Sequence, residues 1–201
     1  MRKLYVLRHG NTFDKGDTVT RVGCGTDLPL SSSGLEQAER LAEVFKGTKF
    51  DAAYCSPLSR TRTTALRILE TRDDYPTLEV LDFLTEIDYG PDENKPEEEV
   101  IARLGQDAID AWDKDAIAPP GWVVDAEMIK GEWKTLIEQI SNMDAGANIL
   151  LVTSNGIARF LPDVVQMKPI NLERKLKTGS FGFLEISDGG QAAIIEWNVR
   201  P

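Results

Sequence analysis

The 201-residue chain has one histidine, two cysteines, and 23 basic against 33 acidic side chains. A single imidazole cannot build a histidine cluster, and Cys24 and Cys55 stand in no CxxC or Cys/His spacing. Neither a zinc site nor a disulfide framework is therefore encoded, and the expectation is no metal and no cofactor. Two isolated thiols suit a reducing compartment. The formal net charge of −10 opposes nucleic acid and anionic membranes as partners, because both select basic surfaces. The longest apolar runs fall far short of a membrane span, and the segment after Met1-Arg2-Lys3 is too short for a signal peptide, so the expected location is the cytoplasm. Gly23 and Gly25 lack the strand-turn-helix setting of a dinucleotide fingerprint. With no repeats, low-complexity tracts or linkers, one domain over 1–201 is expected.

What is present begins at Leu4-Tyr5-Val6-Leu7, four apolar residues in a row ending at Arg8-His9-Gly10. An unbroken apolar run suits a strand covered on both faces, as in a parallel sheet. Ligands of open α/β sheets bind at the carboxyl ends of such strands. An arginine beside a neutral imidazole suits phosphoryl chemistry: the guanidinium grips non-bridging oxygens while a ring nitrogen attacks phosphorus. Two further strands, over 50–55 and 148–153, end in Ser56-Pro57-Leu58-Ser59-Arg60 and Ser154-Asn155-Gly156. Three strand ends thus converge on one edge. The fold expected is α/β: a three-layer α/β/α sandwich on a mostly parallel, mixed sheet, closed by a hairpin after residue 177.

The helices follow from spacing. Leu35, Ala38, Leu41, Ala42 and Phe45 make one apolar face behind Ser31-Ser32-Ser33, which supplies the cap. Ser56 and Pro57 suit the N-cap and first position of a second helix, whose free N–H groups would face an anion near Arg60. The apolar positions over 100–112 predict one helix and those over 129–140 another, separated by Pro119-Pro120-Gly121. The segment 91–144 is expected to form a helical insertion serving as a lid. Trp112, Trp122 and Trp133 are expected in the core.

Arg8-His9-Gly10, the order Arg21, Gly25, Asp27, Pro29-Leu30 and Gly34 ahead of Gln37-Ala38, and Ser56-Pro57-Leu58-x-Arg60-Thr61-x-x-Thr64-Ala65 together resemble the histidine phosphatase superfamily, the phosphoglycerate mutase-like proteins. The resemblance covers about two-thirds of the chain and fades over 91–144. It implies that His9 is transiently phosphorylated, that Arg8 and Arg60 clamp the phosphoryl group, and that Asn11 and Arg21 flank the substrate. Leu84-x-Glu86 followed by Asp88-Tyr89-Gly90 is similar to the family segment that supplies the proton donor, which makes Glu86 the candidate and Asp88 a weaker substitute. Where relatives read Thr-His-Gly-Gly, this chain reads Thr153-Ser154-Asn155-Gly156. Ser154 is read as standing in place of the second histidine, with Asn155 offering its amide beside it.

Loss of one preorganised donor to a developing oxyanion typically costs ~10²–10³ in rate. The first reading is therefore a metal-independent phosphomonoester hydrolase, slow on generic substrates and acting on a small phosphorylated metabolite through a phosphohistidine. A phosphate-ester-binding module with little turnover and a phosphoglycerate mutase-like transferase stay open beside it.

Overall fold

A computed structural model describes residues 1–201. Its centre is a six-stranded sheet in the order β3-β2-β4-β1-β5-β6, built from β1 (Arg2–Arg8), β2 (Ala52–Cys55), β3 (Leu78–Val80), β4 (Asn148–Thr153), β5 (Phe181–Ile186) and β6 (Ala192–Val199). The first four strands in that order run parallel, whereas β5 runs antiparallel to β1 and β6 antiparallel to β5. The mixed sheet and its closing hairpin are those expected.

The apolar run of β1 serves both faces. Leu4 and Val6 join Ile149, Leu151 and Leu184 on one side; Leu7 joins Leu150, Val152, Ala53 and Cys55 on the other. Helices α1 (Ser32–Phe45) and α2 (Ser59–Leu69) cover the second face through Leu41, Phe45, Ala65 and Ile68. The first face is covered by α5 (Ala126–Ser141), whose Trp133, Ile137 and Ile140 are buried at helical spacing. These two layers of helix on a strand-period core are the three-layer sandwich. Trp112, Trp122 and Trp133 all lie in the core. No helix is long and apolar enough to cross a membrane.

Three local expectations are corrected. The helix expected over 100–112 is two, α3 (Glu97–Leu104) and α4 (Gln106–Asp115). Gly105 between them has φ of 82°, which a helix interior does not admit. The segment 91–144 is not a lid throughout, because α5 is one of the helices packed on the sheet. Its α3 and α4 portion reaches the strand ends. Finally, α2 starts at Ser59 rather than at Pro57, and Ser56 does not cap it: the Ser56 hydroxyl pairs with Thr61 Oγ1 at 2.7 Å. Asp27 takes that place from another loop, accepting from both the backbone N–H and the hydroxyl of Ser59 at 2.8 Å. Ser31 caps α1 as expected, accepting from the Gly34 N–H at 3.2 Å.

Candidate active site

The carboxyl ends of β1, β2 and β4 open into a cavity of about 510 Å³. Its wall includes Arg8, His9, Asn11, Arg21, Arg60, Glu86 and Asn155, so of the candidate residues singled out in the sequence all but Ser154 and Asp88 come together there. Six basic side chains face four acidic ones around it, giving a locally positive pocket in an acidic chain.

His9 follows β1 directly and is buried. Its Nδ1 lies 2.7 Å from the Gly10 carbonyl oxygen. A carbonyl only accepts, so Nδ1 carries the proton and the lone pair sits on Nε2, which has no protein partner. Burial, then Arg60, then Arg8 push the imidazole well below its usual pKa, and the Gly10 carbonyl only partly opposes them. The ring is therefore neutral at physiological pH.

Arg8 and Arg60 are both driven down by burial and supported by Glu86. One Arg8 nitrogen donates to the Leu176 carbonyl at 3.0 Å. Arg60 is fully buried and held by the Thr26 carbonyl at 2.9 Å and the Gly23 carbonyl at 3.2 Å. In each, the buried Nε has no partner. Unsatisfied buried donors are uncommon and call for an acceptor, which a phosphoryl oxygen supplies.

Glu86 is the only buried carboxylate of the wall, and its Oε1 accepts the Ile87 N–H at 2.9 Å. It rests on Gly156, where an added Cβ would overlap Oε1. Asp88 does not line the cavity; its carboxylate accepts the Gly90 N–H at 2.7 Å and shapes the turn. Asn11 braces the loop instead of offering free groups, donating to Ser33 at 3.1 Å and accepting from Thr178 at 2.6 Å. Arg21 pairs with Glu97, and its buried Nε also lacks a partner.

The end of β4 differs from expectation. Ser154 is fully buried, its hydroxyl has no partner, and it does not line the cavity. Asn155, the first residue of the one-turn helix α6 (Asn155–Ala158), does. Its Oδ1 accepts the Leu176 N–H at 2.9 Å, which fixes the amide orientation and leaves Nδ2 free to donate. The strand ends at Thr153, whose hydroxyl turns to the Leu84 carbonyl at 2.7 Å, and the alternation of side chains then carries Ser154 inside the fold.

Among the wall residues not singled out by the sequence, Arg159 and Tyr89 are buried beside Glu86. Arg159 is buried across α6, four residues after Asn155, and helical spacing was the available signal. Tyr89 lies three residues beyond Glu86; burial and the Glu86 charge push its hydroxyl pKa upward, so it remains a donor. No group of three or more His, Cys, Asp or Glu side chains stands together to hold a metal ion.

The sequence pattern of the histidine phosphatase superfamily (branch 1) matches residues 4–200. A 2,3-bisphosphoglycerate-dependent phosphoglycerate mutase 2 of Gloeobacter violaceus is 27% identical over 179 residues, 87% of this chain and 80% of that protein. An adenosylcobalamin/alpha-ribazole phosphatase of Escherichia coli is 28% identical over 162 residues, 79% and 76% of the two chains. Among solved structures, a mycobacterial glucosyl-3-phosphoglycerate phosphatase superposes with a TM-score of 0.81 at 20% identity, covering 100% of both chains.

Proposed function

The chain belongs to the histidine phosphatase superfamily, branch 1, and from that premise we propose that it hydrolyses small phosphomonoesters through a phosphohistidine on His9. The observation that carries the reading is the His9 hydrogen bond to the Gly10 carbonyl, which leaves an unprotonated Nε2 beside two arginines with unpartnered donors. In the first step the Nε2 lone pair forms the N–P bond while the ester P–O bond breaks. Glu86 gives its proton to the departing alkoxide. Water then attacks the phosphohistidine, Glu86 takes up a proton, and inorganic phosphate leaves with His9 neutral again.

Arg8, Arg60 and the Asn155 amide would hold the three non-bridging oxygens through both steps. Charge on phosphorus is then balanced by guanidinium groups, so the scheme calls on no metal. Asn155 carries no positive charge, which favours slow turnover over fast transfer. A mutase needs a phosphohistidine that survives reorientation of the product, and a weaker oxyanion clamp serves that less well than it serves hydrolysis.

The test is phosphate release from a panel of phosphomonoesters, comparing the native chain with His9→Ala and Glu86→Gln. Turnover abolished by His9→Ala and reduced at least a hundredfold by Glu86→Gln is expected. Release equal to the His9→Ala background, with esters still bound, would replace the hydrolase by the binding-module reading.

A further inference from the structure

The structure assigns Gln37 as a positioning residue that holds the His9 imidazole in its attacking tautomer through a single peptide unit. Its part in turnover rests on the hydrolase reading; the tautomer it sets does not.

Two hydrogen bonds meet on the Gly10–Asn11 peptide. Its carbonyl oxygen lies 2.7 Å from His9 Nδ1, and its N–H donates to Gln37 Oε1, also at 2.7 Å. The bond is trans, so within one rigid plane the carbonyl points to the imidazole while the N–H points the opposite way. An acceptor on the N–H therefore sets the direction of the carbonyl. It also polarises that carbonyl, because hydrogen bonds in series strengthen one another.

This plane needs holding. Gly10 runs so close to α1 that a Cβ would come within 2.4 Å of the Gly34 carbonyl oxygen, and the glycine this contact demands is also the residue least able to fix its own torsions. Its surroundings are anchored: the Gly10 N–H donates to the Thr64 hydroxyl at 3.3 Å, and the Asn11 carbonyl accepts the Ser31 N–H at 2.9 Å. The plane between those anchors bonds only to His9 and Gln37.

Gln37 is itself seated. It stands one turn beyond Gly34 on α1, half-buried, and its amide nitrogen donates to the Thr178 carbonyl at 3.4 Å, which directs the oxygen to Asn11. Its stem fills the place of a side chain at 179, where a Cβ would meet Gln37 Cβ at 2.8 Å. Gln37 does not line the cavity, so it acts through the peptide and not on substrate. Neither neutral tautomer of His9 carries charge, so the hydrogen bond at Nδ1 decides between them, and the Gly10 carbonyl is its partner. The other tautomer would put the proton on Nε2 and remove the lone pair that attacks phosphorus.

The chain has one histidine, so nitrogen-15 histidine labelling of the full chain gives one pair of ring signals. A long-range proton–nitrogen spectrum above about pH 7, where the ring is neutral, reads its tautomer directly. The native protein should show Nδ1 protonated and Nε2 bare. Gln37→Met keeps the length and removes the acceptor; it should draw the two signals toward each other and lower kcat about tenfold or more, with KM within about threefold. Gln37→Ala removes the acceptor without added bulk and should behave alike, so a packing fault in one variant does not decide the test. Gln37→Glu restores an acceptor oxygen and should return the native signals and most of the rate. A merely structural role would shift urea midpoints and leave the ring signals of the folded protein in place. Native signals in folded Gln37→Met and Gln37→Ala would overturn the assignment. So would a changed tautomer with undiminished turnover, or a Gln37→Glu chain that matches Gln37→Met. A native chain without turnover, whose tautomer still changes in Gln37→Met, removes the hydrolase and keeps the hold of Gln37 on the ring.

Discussion

The side-chain oxygen of Asn155, a residue of the cavity wall, accepts the backbone N–H of Leu176 at 2.9 Å, and this contact fixes the amide with its nitrogen free to donate. In the proposed reaction, the donor to the phosphoryl group at the end of β4 is thus a neutral amide held in one orientation. Asn155→His should restore a chargeable donor and raise phosphate release by about tenfold or more, whereas Asn155→Asp should lower it at least as much. Ser154→Ala, at a hydroxyl outside the cavity, should stay within about threefold of the native rate. Initial rates on one phosphomonoester measure all three. A rise with a histidine at 154 and none with one at 155 would reverse the assignment.

The buried, neutral state of His9 gives a pH dependence with a definite sign. Its folded pKa is depressed by burial, Arg60 and Arg8, while the unfolded chain protonates near the ordinary value of 6.5. Below that value the unfolded state binds the extra proton, so this contribution to stability is complete above pH 6.5 and is lost as pH falls through the folded pKa. Urea melts between pH 8 and 4.5 should show the gap between native and His9→Gln proteins changing only below about pH 6.5, in the direction that penalises the native chain. For activity, the nucleophile stays unprotonated, and the acid limb of kcat/KM should lie well below pH 6.5. An acid limb at 6.5 or above would contradict the buried neutral ring.

The Asp27 carboxylate closes the first turn of α2 from a separate loop and stands 4.0 Å from Arg60. Asp27→Ala leaves the Ser59 N–H to water and should cost about 1 kcal/mol, the usual worth of a helix cap, read as a shifted urea midpoint at constant slope. Asp27→Asn keeps an acceptor and should recover most of it. Ser56→Ala is expected to act differently, through the buried pairing with Thr61 and the Leu58 N–H that the hydroxyl accepts at 3.3 Å.

These positions show which parts of the architecture were written locally. The strand at Leu4–Leu7, the α1 cap and the α5 stripe through Trp133 and Ile137 depend on neighbours a few residues away, and pattern alone exposes them. The start of α2 is decided by Asp27, 32 residues from Ser59 along the chain, so the apt local candidates Ser56 and Pro57 misled. Whether Ser154 or Asn155 faces the cavity depends on the exact residue at which β4 ends, which a run of apolar residues does not mark. Arg159 carried a spacing signal without a motif, and its place in the wall emerged once α4 brought Trp112 beside it. Arg8, His9 and Arg60 were legible because each sits at a strand end or within five residues of one.

Gly156 and Glu86 are in mutual contact, and that contact allows a test of the proton donor without altering its carboxyl group. A Cβ at 156 would overlap Glu86 Oε1 and crowd the Ile87 side chain at 3.1 Å. Gly156 does not need the left-handed region, so Gly156→Ala acts by steric displacement and not by backbone strain. Overpacking of this kind typically costs ~1–3 kcal/mol, which leaves a folded protein measurable below its melting temperature. The displaced carboxyl no longer meets the leaving oxygen, so phosphate release should fall by about a hundredfold or more, matching Glu86→Gln. The double variant Gly156→Ala/Glu86→Gln should lose no more than either single one, because both remove the same proton transfer. An aryl phosphate, whose leaving group needs little protonation, should recover most of the lost rate in all three. Additive losses, or no recovery with the aryl ester, would show that Gly156 supports the site by a route other than Glu86.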